Sequence, residues 1–237
     1  MILITSAMDE EAREIHQIIE NKEEIKVDNY LGEKKIYKGE IEGHKIISLT
    51  TGIGKVNAAM WNSYIIAKYK ITHIINSGTA GGLQESSNIK ISDIIISSQT
   101  AFHDFNLTQF DHQIGQVPGF PQKFESDKTL LNKVVSIIKD KFQNINVHIG
   151  LILTGDQFIE DEKQIEKIKN DFKDALAVEM ESAAIAQVAY TFNIPFIVTR
   201  SISDFPNNKN NHIDFNKFLQ DASKNSAKMV RELIKSI

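Results

Sequence analysis

Apolar runs of strand length alternate along this chain with segments whose apolar residues recur every three to four positions, the pattern of an α/β layer fold. The opening MILITSA reads as a buried strand, and Ala12, Ile15, Ile18 and Ile19 form one face of a helix from Asp9 to about Ile19. From Lys26 to Thr50 β-branched residues become frequent and Gly32, Gly39 and Gly43 mark turns, which predicts antiparallel strands and hence a mixed sheet. GIGKVNAAMWNSYIIAKY then turns helical, with Ala58, Ala59, Trp61, Ile65 and Ile66 for its inner face, and THIINSG follows as a strand. Further strands are expected over ISDIIISSQ, NVHIGLILTG, DALAVEM and PFIVTRSIS. Helices are expected from about Asp127 to Phe142, from Glu160 to Phe172, over ESAAIAQVAYTFN, and from about Phe215 to Ile234. In the last, Phe215, Phe218, Leu219, Ala222, Met229 and Leu233 repeat at helical spacing. The span from Ala101 to Phe124 is irregular and too long to be idle.

A chain of 237 residues can bury one large core, and neither a linker nor an internal repeat interrupts it, so a single domain over 1–237 is expected. A formal net charge of -4 without a basic run argues against nucleic acid or an anionic membrane surface as partner and favours a small molecule. With no cysteine there can be no disulfide, thiolate zinc site or cysteine nucleophile. The start, MILITSAMDEEAREI, lacks a signal peptide's basic end and long apolar stretch, and no window reaches membrane-spanning length. These features predict a soluble, cytoplasmic protein.

Candidate chemistry collects just beyond the strands. Met8, Glu10 and Glu11 follow the first, GTAGG follows IINS, GDQFI follows LILT, and Asp204 ends TRSISD. AVEMESAAIA sets Glu179 and Glu181 inside an apolar run, where an unpartnered charge is costly. The two acids could be helix-start residues near a dipole, or could face a ligand at the carboxyl end of a strand. Carboxylates at several strand ends, each beside small or apolar residues, favour a shared crevice. GTAGG has neither the dinucleotide nor the P-loop spacing; a tight turn or close approach of backbone to an uncharged ligand would each explain it. GIGK (Gly52 to Lys55) reads as a turn. His103 beside Asp104, and His212 two before Asp214, lack the spacing of a metal site, and no G-x-S-x-G elbow exposes a serine.

Taken in order, SAMDEEA, TTGIGKVNAA, INSGTAGGL, TGDQFI, VEMESAAIA and RSISD resemble the 5'-methylthioadenosine/S-adenosylhomocysteine nucleosidases over essentially the entire chain. The resemblance implies a nucleoside phosphorylase-like fold, a single-domain three-layer α/β/α sandwich around a mixed central β-sheet. It implies hydrolysis of the N-glycosidic bond of 5'-methylthioadenosine, S-adenosylhomocysteine or 5'-deoxyadenosine, a place in methionine salvage, no cofactor and no metal. In that comparison Asp204 is the general acid toward adenine N7, with Ser203 oriented near it, and Glu11 activates water on the other face of the sugar. Glu181 holds the ribose hydroxyls, Met180 packs on the ribose, and Glu179 sees the ligand only if the strand-helix junction allows. Phe158 stacks on adenine and the Ile159 backbone reads the base edge. Thr79 keeps the hydroxyl of the serine found in many relatives, beside Ala80 and Gly81. Met8, Ile53 and Phe215 line the pocket for the 5'-substituent. Phe110 and Pro118 reach over from a second subunit of a homodimer, which gives the irregular span a purpose.

The rival chemistry is phosphorolysis, which needs positive charge to hold phosphate. Arginine is confined to Arg13, Arg200 and Arg231, and an acid, Glu11, occupies the crevice, so hydrolysis is expected. An idle adenosine-binding module would keep Phe158 and Glu181 but would not need both Glu11 and Asp204.

Overall fold

Ile2 and Ile4 of β1 (Ile2–Ser6) belong to one hydrophobic cluster and Leu3 to another, because successive side chains of a strand leave opposite faces. In this computed structural model, which describes residues 1–29, 32–83, 89–142, 145–206 and 211–237, the same division recurs across the sheet. Ile46 and Ile47 part company in β4 (His44–Thr50), Ile75 and Ile74 in β5 (His73–Gly82), and Ile94 and Ile95 in β6 (Ile94–Phe102). One face is covered by α2 (Lys55–Lys68) and α5 (Ser182–Thr191), through Ala58, Trp61, Ile65, Ala183, Ile185 and Ala186. The other is covered by α1 (Asp9–Gln17), α3 (Lys128–Lys141) and α6 (Asn211–Ser236), through Ile15, Leu130, Val134, Val230 and Leu233. Helices thus lie on both sides of the sheet, as expected. A third cluster joins Ile165 and Ile168 of α4 (Glu162–Asp171) to Leu151 and Leu153 of β8 (Val147–Thr154) and Val178 of β9 (Ala175–Glu179).

The sheet is mixed. Strands β2 (Glu20–Asn29), β3 (Gly32–Ile41) and β4 form an antiparallel meander, and β4, β1 and β5 then run parallel. β5 also pairs in parallel with β10 (Phe196–Asp204) and, over Gly81 and Gly82, antiparallel with Val178 and Ala177 of β9. Because β10 pairs with β6, β6 with β8 and β8 with β9, the strands β5, β10, β6, β8 and β9 close into a ring. This closure brings the carboxyl ends of β1, β5, β8, β9 and β10 to one place even though the strands are not all parallel. A register shift between Ile202 and Asp204 bends the end of β10 and re-aims Asp204, a common use of a bulge beside a site.

The structure departs from the sequence reading in three places. β2 begins at Glu20 and not near Lys26, because residues 20–24 are charged or polar and exposed on both faces, so no alternation marks them. Gly43 makes its turn (φ 78°), whereas Gly39 lies inside β3, packed so closely on Ile19 and Glu20 that a side chain would collide. The irregular span contains a single 3-10 turn at Thr108–Phe110 and ends in the two-residue strand β7 (Phe124–Glu125) on β6, too short to leave a periodic signal.

Leu233 is fully buried where α6 packs on the sheet. Leu233→Ala is expected to lower the unfolding free energy by about 3 kcal/mol, read as a shifted urea midpoint at unchanged slope.

Candidate active site

The converging strand ends enclose a cavity of about 400 Å³, of the size that holds a small molecule. Its lining includes Met8, Glu11, Ile53, Thr79, Ala80, Gly81, Phe158, Ile159, Glu179, Met180, Glu181, Ser203 and Asp204, all singled out from the sequence. Ala7, Asp156, Gln157, Val178 and Pro206 line it as well. Asp156 and Gln157 stand inside the GDQFI segment already marked as a strand-end motif, so proximity in sequence was the available signal. Phe110 and Pro118 are exposed and do not line the cavity of the single chain. Phe215 lies in α6, with its side chain outside the described residues.

Glu11 sits in the first turn of α1, three residues after Met8, and its carboxylate turns back toward the helix start. The amides of Ala7 and Met8 donate to Oε2 at 3.0 and 3.1 Å, and the amide and hydroxyl of Thr79 donate to Oε1 at 2.8 and 3.0 Å. Four donors thus hold one buried carboxylate in a fixed pose. A Cβ on Gly78 would stand 2.7 Å from Oε1, so only glycine leaves room. Gly81 lies close to the second acid, its Cβ position 3.3 Å from Asp204 Oδ2 and 3.1 Å from Pro206 Cγ, a tight fit that a shift of a few tenths of an ångström would relieve. GTAGG is therefore neither a turn nor a phosphate loop. It is the end of β5, and its glycines make space for carboxylates that arrive from α1 and β10. Asp204 is buried, and the Ser203 hydroxyl donates to its Oδ1 at 2.8 Å.

The two acids of AVEMESAAIA part company at the junction. Glu179 ends β9, and its oxygens accept from the Thr154 hydroxyl, the amides of Glu181 and Ser182, and the Arg200 guanidinium. It therefore caps the start of α5, the helix-start alternative. Glu181 occupies the residue before α5, accepts from the Gly54 amide at 2.9 Å, and stands 3.8 Å from Arg200. Burial, and then the Glu179 carboxylate beside it, push the Glu181 carboxyl up from 4.5 to about 8, against the pull of Arg200.

Arg200 was passed over in the sequence except as a possible phosphate ligand. It is 1% exposed, lies in β10, pairs with Glu179 at 2.5 Å and donates to Asn76 Oδ1 at 2.6 Å. Burial acts against its charge, but Glu179, Glu181 and Glu11 outweigh it and raise its pKa further. The signal is a lone basic residue in a strand otherwise made of apolar and small polar residues up to Asp204. No lysine or arginine is among the described residues that line the cavity: Arg13 is exposed on α1 and Arg231 pairs with Glu42.

His103 is buried against Gly155, and burial lowers its pKa, disfavouring the charged ring. Among the described residues no group of three or more His, Cys, Asp or Glu could hold a metal ion; the His212 side chain lies outside them. GIGK is the predicted turn: Gly52 and Gly54 have φ of 88° and 95°, and Gly54 caps α2.

The fold agrees with the comparisons to known proteins. The chain belongs to the phosphorylase superfamily, whose profile matches residues 1–235. A 5'-methylthioadenosine/S-adenosylhomocysteine nucleosidase of an Exiguobacterium is 41% identical over 237 residues, 99% of this chain and 97% of that one. A Borrelia burgdorferi structure described as such a nucleosidase bound to adenine is 66% identical, covers 100% of both chains and superposes with a TM-score of 0.97. The Neisseria meningitidis nucleosidase in complex with methylthio-immucillin-A is 35% identical, covers 100% of this chain and 99% of its own, and has a TM-score of 0.94. Within the superfamily, these likenesses put the chain in the 5'-methylthioadenosine/S-adenosylhomocysteine nucleosidase family.

The raised pKa of Glu181 has a consequence for stability. Between 4.5 and about 8 the folded protein holds a proton there that the unfolded chain has released, so stability falls as pH rises through that window. His16, which burial and then Lys22 lower from 6.5 to about 4, acts in the opposite sense at lower pH. The difference between native protein and Glu181→Gln is therefore the informative quantity. Denaturant unfolding from pH 5 to 8 is expected to show the native protein losing stability relative to the variant; parallel curves would refute the shift.

Proposed function

We propose that this protein hydrolyses the N-glycosidic bond of 5'-thio-substituted adenine nucleosides, releasing adenine and the 5'-substituted ribose. 5'-Methylthioadenosine, S-adenosylhomocysteine and 5'-deoxyadenosine are its candidate substrates. The observation that carries the reading is the placement of Glu11 and Asp204 on one cavity, against Gly78 and Gly81 of the same strand.

In this mechanism the nucleoside lies with its base toward Phe158 and its sugar toward Glu181. As the C1'-N9 bond breaks, its electron pair moves into the purine and Asp204 delivers a proton to N7, steadied by the Ser203 hydroxyl. Water attacks C1' from the opposite face and passes its proton to Glu11, whose pose is fixed by four donors. Glu181 accepts from the ribose hydroxyls, Met180 packs on the sugar, and Thr79, with Ala80 and Gly81, borders the water. The Ile159 backbone reads the base edge, and Met8, Ile53 and Phe215 receive the 5'-substituent. Glu179, whose oxygens are already engaged, acts by holding Arg200 and the start of α5 in place.

The whole chain acts as one domain, and a homodimer completes the site with Phe110 and Pro118 of the neighbouring copy. What supports the dimer is an apolar face on α2 and α5 where Val56, Met60, Tyr190 and Phe192 are about half exposed or more, with Phe110 70% exposed. A place in methionine salvage, and a cytoplasmic location suited to a chain without cysteine, complete the reading.

The test is incubation with each nucleoside in phosphate-free buffer containing chelator. Free adenine is expected; release that depends on added phosphate would make the enzyme a phosphorylase. Asp204→Asn is expected to lower kcat by about a hundredfold to ten-thousandfold while nucleoside still binds. Glu11→Gln should likewise lose the chemical step, and an unchanged kcat would show that water is activated elsewhere.

A further inference from the structure

Three charged side chains take no part in the chemistry above: Asp156, which lines the cavity, and Lys55 and Asp104, which lie outside its lining. Lys55 opens α2, Asp104 follows β6, and Asp156 begins the segment leading from β8 to Phe158 and Ile159. The Lys55 ammonium donates to the two Asp104 oxygens at 2.8 and 2.7 Å. The Asp156 amide donates to Asp104 Oδ2 at 2.9 Å, and the Lys55 amide donates to Asp156 Oδ1 at 2.8 Å. These bonds close a loop of interactions through segments 49 to 101 residues apart in the chain.

Both ends of this assembly adjoin the proposed substrate contacts. On the sugar side, the residue before Lys55 is Gly54, whose amide donates to Glu181. Its φ of 95° is a conformation that only glycine adopts without strain, so the amide direction is set by the turn that Lys55 anchors. On the base side, Asp156 lies two residues before Phe158. Exposed ion pairs contribute little; here the Lys55 and Asp104 side chains are 24% and 21% exposed and Asp156 46%, and every bond has a charged partner. Burial works to raise the Asp104 carboxyl, yet hydrogen bonds from Lys55 and the Asp156 amide outweigh it, and the group titrates below its ordinary range.

We propose that Lys55 and Asp104 are positioning residues that set the spacing between Gly54 with Glu181 and the segment carrying Phe158 and Ile159. They thereby control nucleoside affinity without touching the nucleoside. This inference rests on the assignment of those two walls to sugar and base.

Asp104→Asn keeps the shape but turns an amide toward Lys55, and Lys55→Met keeps the stem but removes the charge. Each is expected to raise KM about tenfold while kcat stays within about threefold, the signature of lost uniform binding. Lys55→Arg should restore most of the affinity. The double variant should be little worse than either single one, because both break the same assembly. Calorimetric titration with adenine alone should show the same loss of affinity, and it reads the base wall even if the native protein cleaves nothing. Unchanged KM and adenine affinity in the folded single variants, a fall in kcat as steep as the rise in KM, or additive effects would overturn the proposal. Should Asp104→Asn fail to fold, judged by circular dichroism, Lys55→Met carries the same decision.

Discussion

The architecture of the site depends on one buried cation. The Arg200 guanidinium lies under the cavity floor, bonded to Glu179 and Asn76 and facing Glu181. Buried charges are tolerated when paired, and removing one partner leaves the other stranded at a cost of about 3–5 kcal/mol. Here the pairing is unequal, because Glu11, Glu179 and Glu181 are all buried near a single arginine. Glu11 answers the imbalance with backbone amides and Glu179 takes the guanidinium. Glu181, left with one amide and a distant cation, has the raised pKa. The cluster fixes the strand-helix junction and leaves at the cavity a carboxyl, Glu181, that gives up its proton only near pH 8.

Closure of the sheet gives that cluster its address. An open parallel sheet would line up strand ends along an edge. The ring of β5, β10, β6, β8 and β9 gathers them around a hollow instead, with β5 as the shared wall. Its glycines allow α1 and β10 to bring their acids against the strand from two directions. Backbone amides and small residues at this wall are thus part of the carboxylate geometry, and a single methyl group at Gly78 would disturb it.

Much of this was legible in the sequence because the signals were local. Strands such as MILITSA and PFIVTRSIS, and helices such as Lys128–Lys141, announce themselves by period, and the acids stand next to strand ends that periodicity locates. What escaped depends on partners distant in the chain. Arg200 shows only as a lone cation between Thr199 and Ser201 until Glu179 and Asn76 are brought beside it. Gly39 reads as a turn until β2 packs over it, and Glu20–Glu24 carry no alternation because both faces meet water. The division of labour between Glu179 and Glu181 turns on a junction geometry that two-residue spacing leaves open.

The fixed pose of Glu11 also bears on why water and not phosphate would be the nucleophile. A phosphate anion entering beside Glu11 would meet a fixed carboxylate and, among the described lining residues, no lysine or arginine to offset it. A neutral water meets no such penalty. In the proposed mechanism, breaking the C1'-N9 bond places positive charge on the sugar, and this charge exists only in the transition state, so acceptors facing it would favour that state over bound substrate. The lack of a cation among the described lining residues leaves a phosphate unpaired and a cationic sugar unopposed, so in the proposed mechanism one charge distribution serves both the choice of nucleophile and the transition state.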